Sequence, residues 1–164
     1  MIRIIGIVLI MLTGANCGCY LSSRVKGHIK TLETINDMLR ETQVMIRFNA
    51  VTFKELILHL QGCFGISKLK FLSFDAEKSD IRESIIFAIK QNEDGLTQEE
   101  NERLCCFFMG FGTTDIDGQL SMVERYQHYF ADRLEKVRDE GLKKCRLYNS
   151  LGVLGGAFVA VMLV

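Results

Sequence analysis

Residues 4–21 read IIGIVLIMLTGANCGCYL, a run of 18 positions without a charge. At about 1.5 Å of helical rise per residue it matches the thickness of a hydrocarbon core, and it predicts a transmembrane helix. A cleaved signal peptide is the rival, since Arg3 precedes the run. However, Gly14-Ala15-Asn16-Cys17 is not a clear A-x-A cleavage site, and Asn16 before Cys17 spoils a lipoprotein box. The other end of the chain reads LYNSLGVLGGAFVAVMLV over residues 147–164, with no charge after Arg146 and no polar side chain after Ser150. It predicts a second span. The chain therefore divides into an N-terminal transmembrane helix at 1–22, a helical domain at 23–146 and a C-terminal transmembrane helix at 147–164.

Basic residues mark the inner side of each span. Arg24, Lys26 and Lys30 follow the first, and Lys143, Lys144 and Arg146 precede the second; only Arg3 lies beyond either. Lysine and arginine stay cytoplasmic, so the domain is expected in the cytoplasm with both termini pointing outward. Gly14 and Gly18, and likewise Gly152 and Gly156, are spaced four apart. Such pairs let helix backbones approach closely, which predicts packing of the two spans on each other.

Between the spans the composition is balanced, with 20 basic and 20 acidic residues. No basic footprint for a nucleic acid is visible. The chain contains no proline, which suits unbroken helices. Val25, Ile29, Leu32, Ile35, Leu39 and Ile46 recur at helical spacing, as one long helix continuing from the first span. Thr52 with Glu55, and Thr97 with Glu100, read as capping boxes that open helices. Asp80 with Glu83 opens another, and Leu69 to Ala76 is a further short one. Gly110-Phe111-Gly112 breaks the chain before a last helix starts near Asp115 and continues into the second span. The expected fold is all-α, a six-helix bundle between two transmembrane helices, with the first and last helices as an antiparallel pair.

Little in this sequence points to catalysis. Cys17, Cys19, Cys63, Cys105, Cys106 and Cys145 form no CxxC pair and read as free, buried thiols in a reducing compartment. Glu55 and His59 are four apart and share a helix face, yet no second Glu-x-x-His pair completes a di-metal bundle. Gly110-x-Gly112 lacks the third glycine and the lysine of a phosphate loop. Asp115 and Asp117 sit where acids face a helix dipole. The mixed run from Arg133 to Arg146 reads as a solvated helix face whose basic end meets anionic lipid. No enzyme activity, cofactor, metal or small-molecule substrate is expected.

Three segments carry a family resemblance: Leu32-Glu33-Thr34-Ile35, the stretch from Phe108 to Gln119 (FMGFGTTDIDGQ), and Tyr148 to Phe158 (YNSLGVLGGAF). Their order and spacing resemble the stage III sporulation protein AB family over nearly the whole chain. Two departures fall in connecting segments. Val51-Thr52-Phe53 stands where the family usually has a proline step, and Thr113-Thr114 replaces a leucine-glycine step. The resemblance implies a non-enzymatic platform component of a channel between mother cell and forespore, in the outer forespore membrane. It also implies similarity to the platform protein of type II secretion systems. The implied partners are the sporulation ATPase, stage III sporulation protein AA, and other channel components. Glu33, Gly110, Gly112, Asp115 and Gln119 match the family and are the candidate partner or structural residues. A membrane-anchored sensor that binds a small ligand is the alternative, and an exported, disulfide-bonded, tail-anchored protein is a third reading.

Overall fold

A computed structural model describes the backbone of residues 2–48, 51–74, 80–91 and 93–162. Within the terminal helices it does not describe the side chains of 2–19, 21, 142, 144–146, 148–149 and 151–162. Five α-helices make the fold: α1 (Ile2–Phe48), α2 (Phe53–Gly62), α3 (Ile81–Gln91), α4 (Gln98–Gly110) and α5 (Ile116–Met162). Among the described residues there is no strand. The chain forms two compact units, one of Lys30–Leu134 and one of Met1–Ile29 with Glu135–Val164.

Local signals start the helices of the larger unit. Thr52 and Thr97 each accept a hydrogen bond from the N–H three residues on, while Glu55 and Glu100 reach back to the cap backbone. Both capping boxes are as the sequence predicts. At α3, the Asp80 carboxylate accepts from the Arg82 N–H at 3.0 Å. The apolar stripes then close one core. Leu32, Ile35, Met38 and Leu39 of α1 are fully buried, as are Leu56, Ile57 and Leu60 of α2. Phe107 and Phe108 of α4 meet at 5.2 Å, nearly edge-on. Phe71, Phe53 and Tyr126 pack on this pair with centroids 5.4–6.4 Å away. Edge-to-face contact sets the positive ring edge on the negative face of its neighbour, which favours this arrangement over parallel stacking.

A charged link crosses the same core. Glu100 is 0% exposed. One of its carboxylate oxygens accepts from the Thr97 N–H at 2.8 Å, and the other accepts from Arg133 Nε at 2.7 Å. The same carboxyl thus begins α4 and ties it to α5. The hydrogen bond to Glu100 holds the Arg133 guanidinium above its usual pKa, against a smaller opposing effect of burial.

The short helix expected over 69–76 is not an α-helix. Ile66–Lys68 and Lys70–Leu72 form two 3-10 turns, and residues 75–79 lie outside the described residues. Distant side chains bind the backbone of this segment. The Asp94 carboxylate accepts from the N–H of Lys70 at 2.9 Å and of Phe71 at 3.1 Å. The Gln61 amide donates to the carbonyls of Leu72 and Phe74, at 2.7 and 3.0 Å. These backbone groups are thereby satisfied without a regular helix. Among the described residues the expected six helices are therefore five α-helices.

In the smaller unit, α1 and α5 pass close together at Gly141. A Cβ built there would lie 2.7 Å from Val25 Cγ1 and 3.3 Å from Ile29 Cδ1. Among the described residues no helix is long and apolar enough to cross a membrane. The two predicted spans, with Gly14, Gly18, Gly152 and Gly156, fall on helical positions whose side chains lie almost wholly outside the described residues.

The contact at Gly141 yields a paired test. Gly141→Leu forces the helices apart and is expected to destabilise the chain by about 1–3 kcal/mol. At Gly27 an added Cβ meets nothing within 4 Å, so Gly27→Ala is expected to be neutral or to stabilise by up to about 1 kcal/mol through helix propensity. Thermal melts of the detergent-solubilised chain, followed by circular dichroism, compare the two.

Candidate functional site

The four candidate residues Gly110, Gly112, Asp115 and Gln119 come together in the connection from α4 to α5. An α-helix ends with four carbonyls that lack intrahelical partners. Here each one is met. The carbonyl of Phe107 accepts from the Phe111 N–H at 3.1 Å, and that of Gly110 accepts from the Thr113 hydroxyl at 2.8 Å. The carbonyls of Phe108 and Met109 accept from Arg82 Nη1, the second at 2.8 Å. Gly112 has φ +78°, the left-handed region where a side chain is strained, and so turns the chain out of α4.

Asp115 then starts α5. Its carboxylate accepts from the Gly118 N–H at 3.1 Å and its carbonyl from the Gln119 N–H at 2.9 Å. This is an N-cap. The Gln119 side chain folds back to donate to the Thr114 carbonyl at 3.0 Å. Asp117 is exposed at the head of the helix. The segment is thus a self-closing turn whose outer edge, Thr113 to Asp117, faces solvent. Met109 and Ile116 flank it and are 49% and 50% exposed.

Arg82 holds this turn, and sequence reasoning missed it. From α3 it also donates to the Phe111 carbonyl at 3.0 Å. Its guanidinium lies 4.4 Å from the centroid of the Phe53 ring. A planar fork with five donors suits several carbonyls at once, and the ring face favours the cation. The sequence offered only an arginine in the first turn of a helix, where cations are disfavoured by the dipole. That misfit was the available signal.

Glu33, the fifth candidate, is half-buried on α1. Glu55 and His59, four apart in α2, have separate partners. Glu55 is engaged with Thr52, and His59 Nε2 meets Glu41 of α1 at 2.8 Å. Cys63 lies beside them. Cys105 is buried, Cys63 is half-buried and Cys106 is exposed, all three as free thiols; Cys106 departs from the expectation of burial. Cys17, Cys19 and Cys145 lie outside the described side chains.

This turn falls within a longer correspondence. The family model of stage III sporulation protein AB matches residues 3–164. The chain belongs to the stage III sporulation protein AB family. Membership gives it a role in stage III of sporulation, in a family of sporulation proteins rather than a known enzyme family. No curated protein and no solved structure matches it. The match spans the whole α4–α5 turn and both long helices.

Removing the Arg82 clamp should loosen the α4–α5 turn. Arg82→Met is expected to cost about 2–3 kcal/mol, the scale of a charge-assisted hydrogen-bond set. Asp115→Ala removes only the cap and is expected to cost about 1 kcal/mol. Denaturant titrations measure both, and an Arg82→Met loss no greater than that of Asp115→Ala contradicts the clamp.

Proposed function

We propose that this chain is a non-enzymatic membrane platform component of the channel or secretion-like apparatus between mother cell and forespore. In this role it anchors or couples a cytoplasmic ATPase during endospore formation. The observation that carries the reading is the pairing of a whole-length family match with two 47-residue helices. Each helix carries an apolar run at one end, residues 4–21 or 147–164, and contributes its other end to the unit of Lys30–Leu134. A protein that positions a motor at a membrane needs both properties. By family resemblance the membrane is the outer forespore membrane, with the helical unit in the mother-cell cytoplasm. The ATPase is stage III sporulation protein AA, and lipid is the other contact.

Within this reading the α4–α5 turn meets the partner. Its backbone is internally satisfied, so it presents a fixed shape at little ordering cost on binding. Met109 and Ile116 add exposed apolar surface on either side. Such surface next to a polar rim is the usual composition of a contact patch. The groove of about 510 Å³ beside α1 is lined by charged Asp37, Arg40 and Glu41. Val44, Phe64 and Ile66 line it too, but it is an open groove, whereas a small-ligand site encloses most of its ligand.

Affinity capture of the full-length protein from sporulating cells, in mild detergent, tests the proposal. The sporulation ATPase and channel components are expected to co-purify. Met109→Glu with Ile116→Glu is expected to lose them while leaving the melting temperature unchanged. Absence of the ATPase when the apparatus is assembled, or nucleotide hydrolysis by the purified chain alone, contradicts the proposal.

A further inference from the structure

One side-chain cluster lies apart from the α4–α5 turn. Glu41 on α1, and His59 and Cys63 at the end of α2, each offer a ligand atom, and these atoms all lie within 4.8 Å of one another. His59 and Cys63 are spaced four apart, so the last turn of α2 brings them to one side. Glu41 reaches them from the facing helix, with its Oε1 at 2.8 Å from His59 Nε2.

A bare ion pair accounts for Glu41 and His59 but not for the thiol. Burial and the neighbouring Glu41 carboxylate both push the Cys63 pKa up, so its surroundings resist a second negative charge. A divalent cation reverses that logic, because it stabilises the thiolate it binds. Metal–ligand distances of roughly 2.0–2.3 Å around a tetrahedral centre imply ligand separations of roughly 3.3–3.7 Å. The observed cluster is within small side-chain rotations of that geometry.

We propose that Glu41, His59 and Cys63 form a binding site for a borderline-soft divalent cation, with zinc the best match. One carboxylate, one imidazole and one thiolate suit zinc in donor type, whereas calcium and magnesium prefer oxygen alone. Carboxylate and thiolate together neutralise the ion. Glu41 and Cys63 both line the 510 Å³ groove, so the fourth coordination position opens onto it, for water or for a donor from a partner. Metal there would fasten the end of α2 to α1. It would also fix the start of the segment that displays Phe64, which is 97% exposed.

Titration of the full-length chain in mild detergent with cobalt, as a coloured substitute, and with zinc tests this site. One equivalent of cobalt is expected to give a thiolate charge-transfer band. Cys63→Ser is expected to abolish the band. Cys63→Ser, His59→Gln and Glu41→Gln are each expected to weaken zinc binding at least about tenfold, the lower scale for losing even an outer-shell group. All three should leave the metal-free melting temperature nearly unchanged, since none is a core residue. No stoichiometric binding, or a cobalt band and zinc affinity that survive both Cys63→Ser and His59→Gln, overturns the assignment.

Discussion

The carboxylate of Glu100 is the constraint on which the larger unit rests. A fully buried charge is tolerated only when it is paired and hydrogen-bonded. Glu100 meets that demand in two directions, toward the Thr97 backbone and toward Arg133. The first bond fixes where α4 begins; the second fixes which face of α5 it meets. With α4 placed, Phe107 and Phe108 enter the core as an edge-on pair, and Phe71, Phe53 and Tyr126 pack around them. Nearby, Tyr129 donates to Glu99 at 3.0 Å while the Arg103 guanidinium sits 5.1 Å from its ring. Burial first, and the bond to Glu99 second, raise the Tyr129 pKa. The α4–α5 seam is thus polar at its rim and aromatic within.

The far end of α4 follows from the same placement. Arg82 reaches the carbonyls there only because α3 packs beside α4 and Phe53 supplies a ring for its guanidinium. The turn from Gly110 to Gln119 is therefore specified twice, by its own sequence and by a cation from another helix. Segments that recur across a family are often read at once as contact sites. In this chain Gly112, Asp115 and Gln119 each have a definite backbone task, so folding alone gives each of them a use. The neighbours Met109, Ile116 and Asp117 are exposed, and the proposed partner contact is assigned to them.

What could be read from the sequence was local. Both threonine–glutamate capping boxes, the helix at Ile81–Gln91 despite its isoleucines, and the buried stripe of α1 depend on residues within a few positions of each other. What could not be read depended on distant partners. Asp94 captures N–H groups 23 and 24 residues away, in the segment that forms 3-10 turns in place of the expected helix. Arg82 acts on carbonyls 26 to 29 residues away. Glu41 meets His59 because α1 faces α2 there, a fact that periodicity alone does not contain. Glu100 belongs to both groups, visible as a cap but hidden as a buried ion pair.

The central functional claim is that both ends of the chain are held in a membrane with the helical unit on one side. Cysteine labelling in sealed right-side-out vesicles tests it most directly. Cys106 is exposed in the larger unit and serves as the inner reporter once the other five cysteines are replaced. A single cysteine appended after Val164 in a second variant serves as the outer one. The account predicts that the chain stays with the vesicles under alkaline extraction. An impermeant maleimide should reach the appended cysteine in intact vesicles but Cys106 only after lysis. Extraction of the chain as a soluble protein, or labelling of Cys106 from outside, would contradict it.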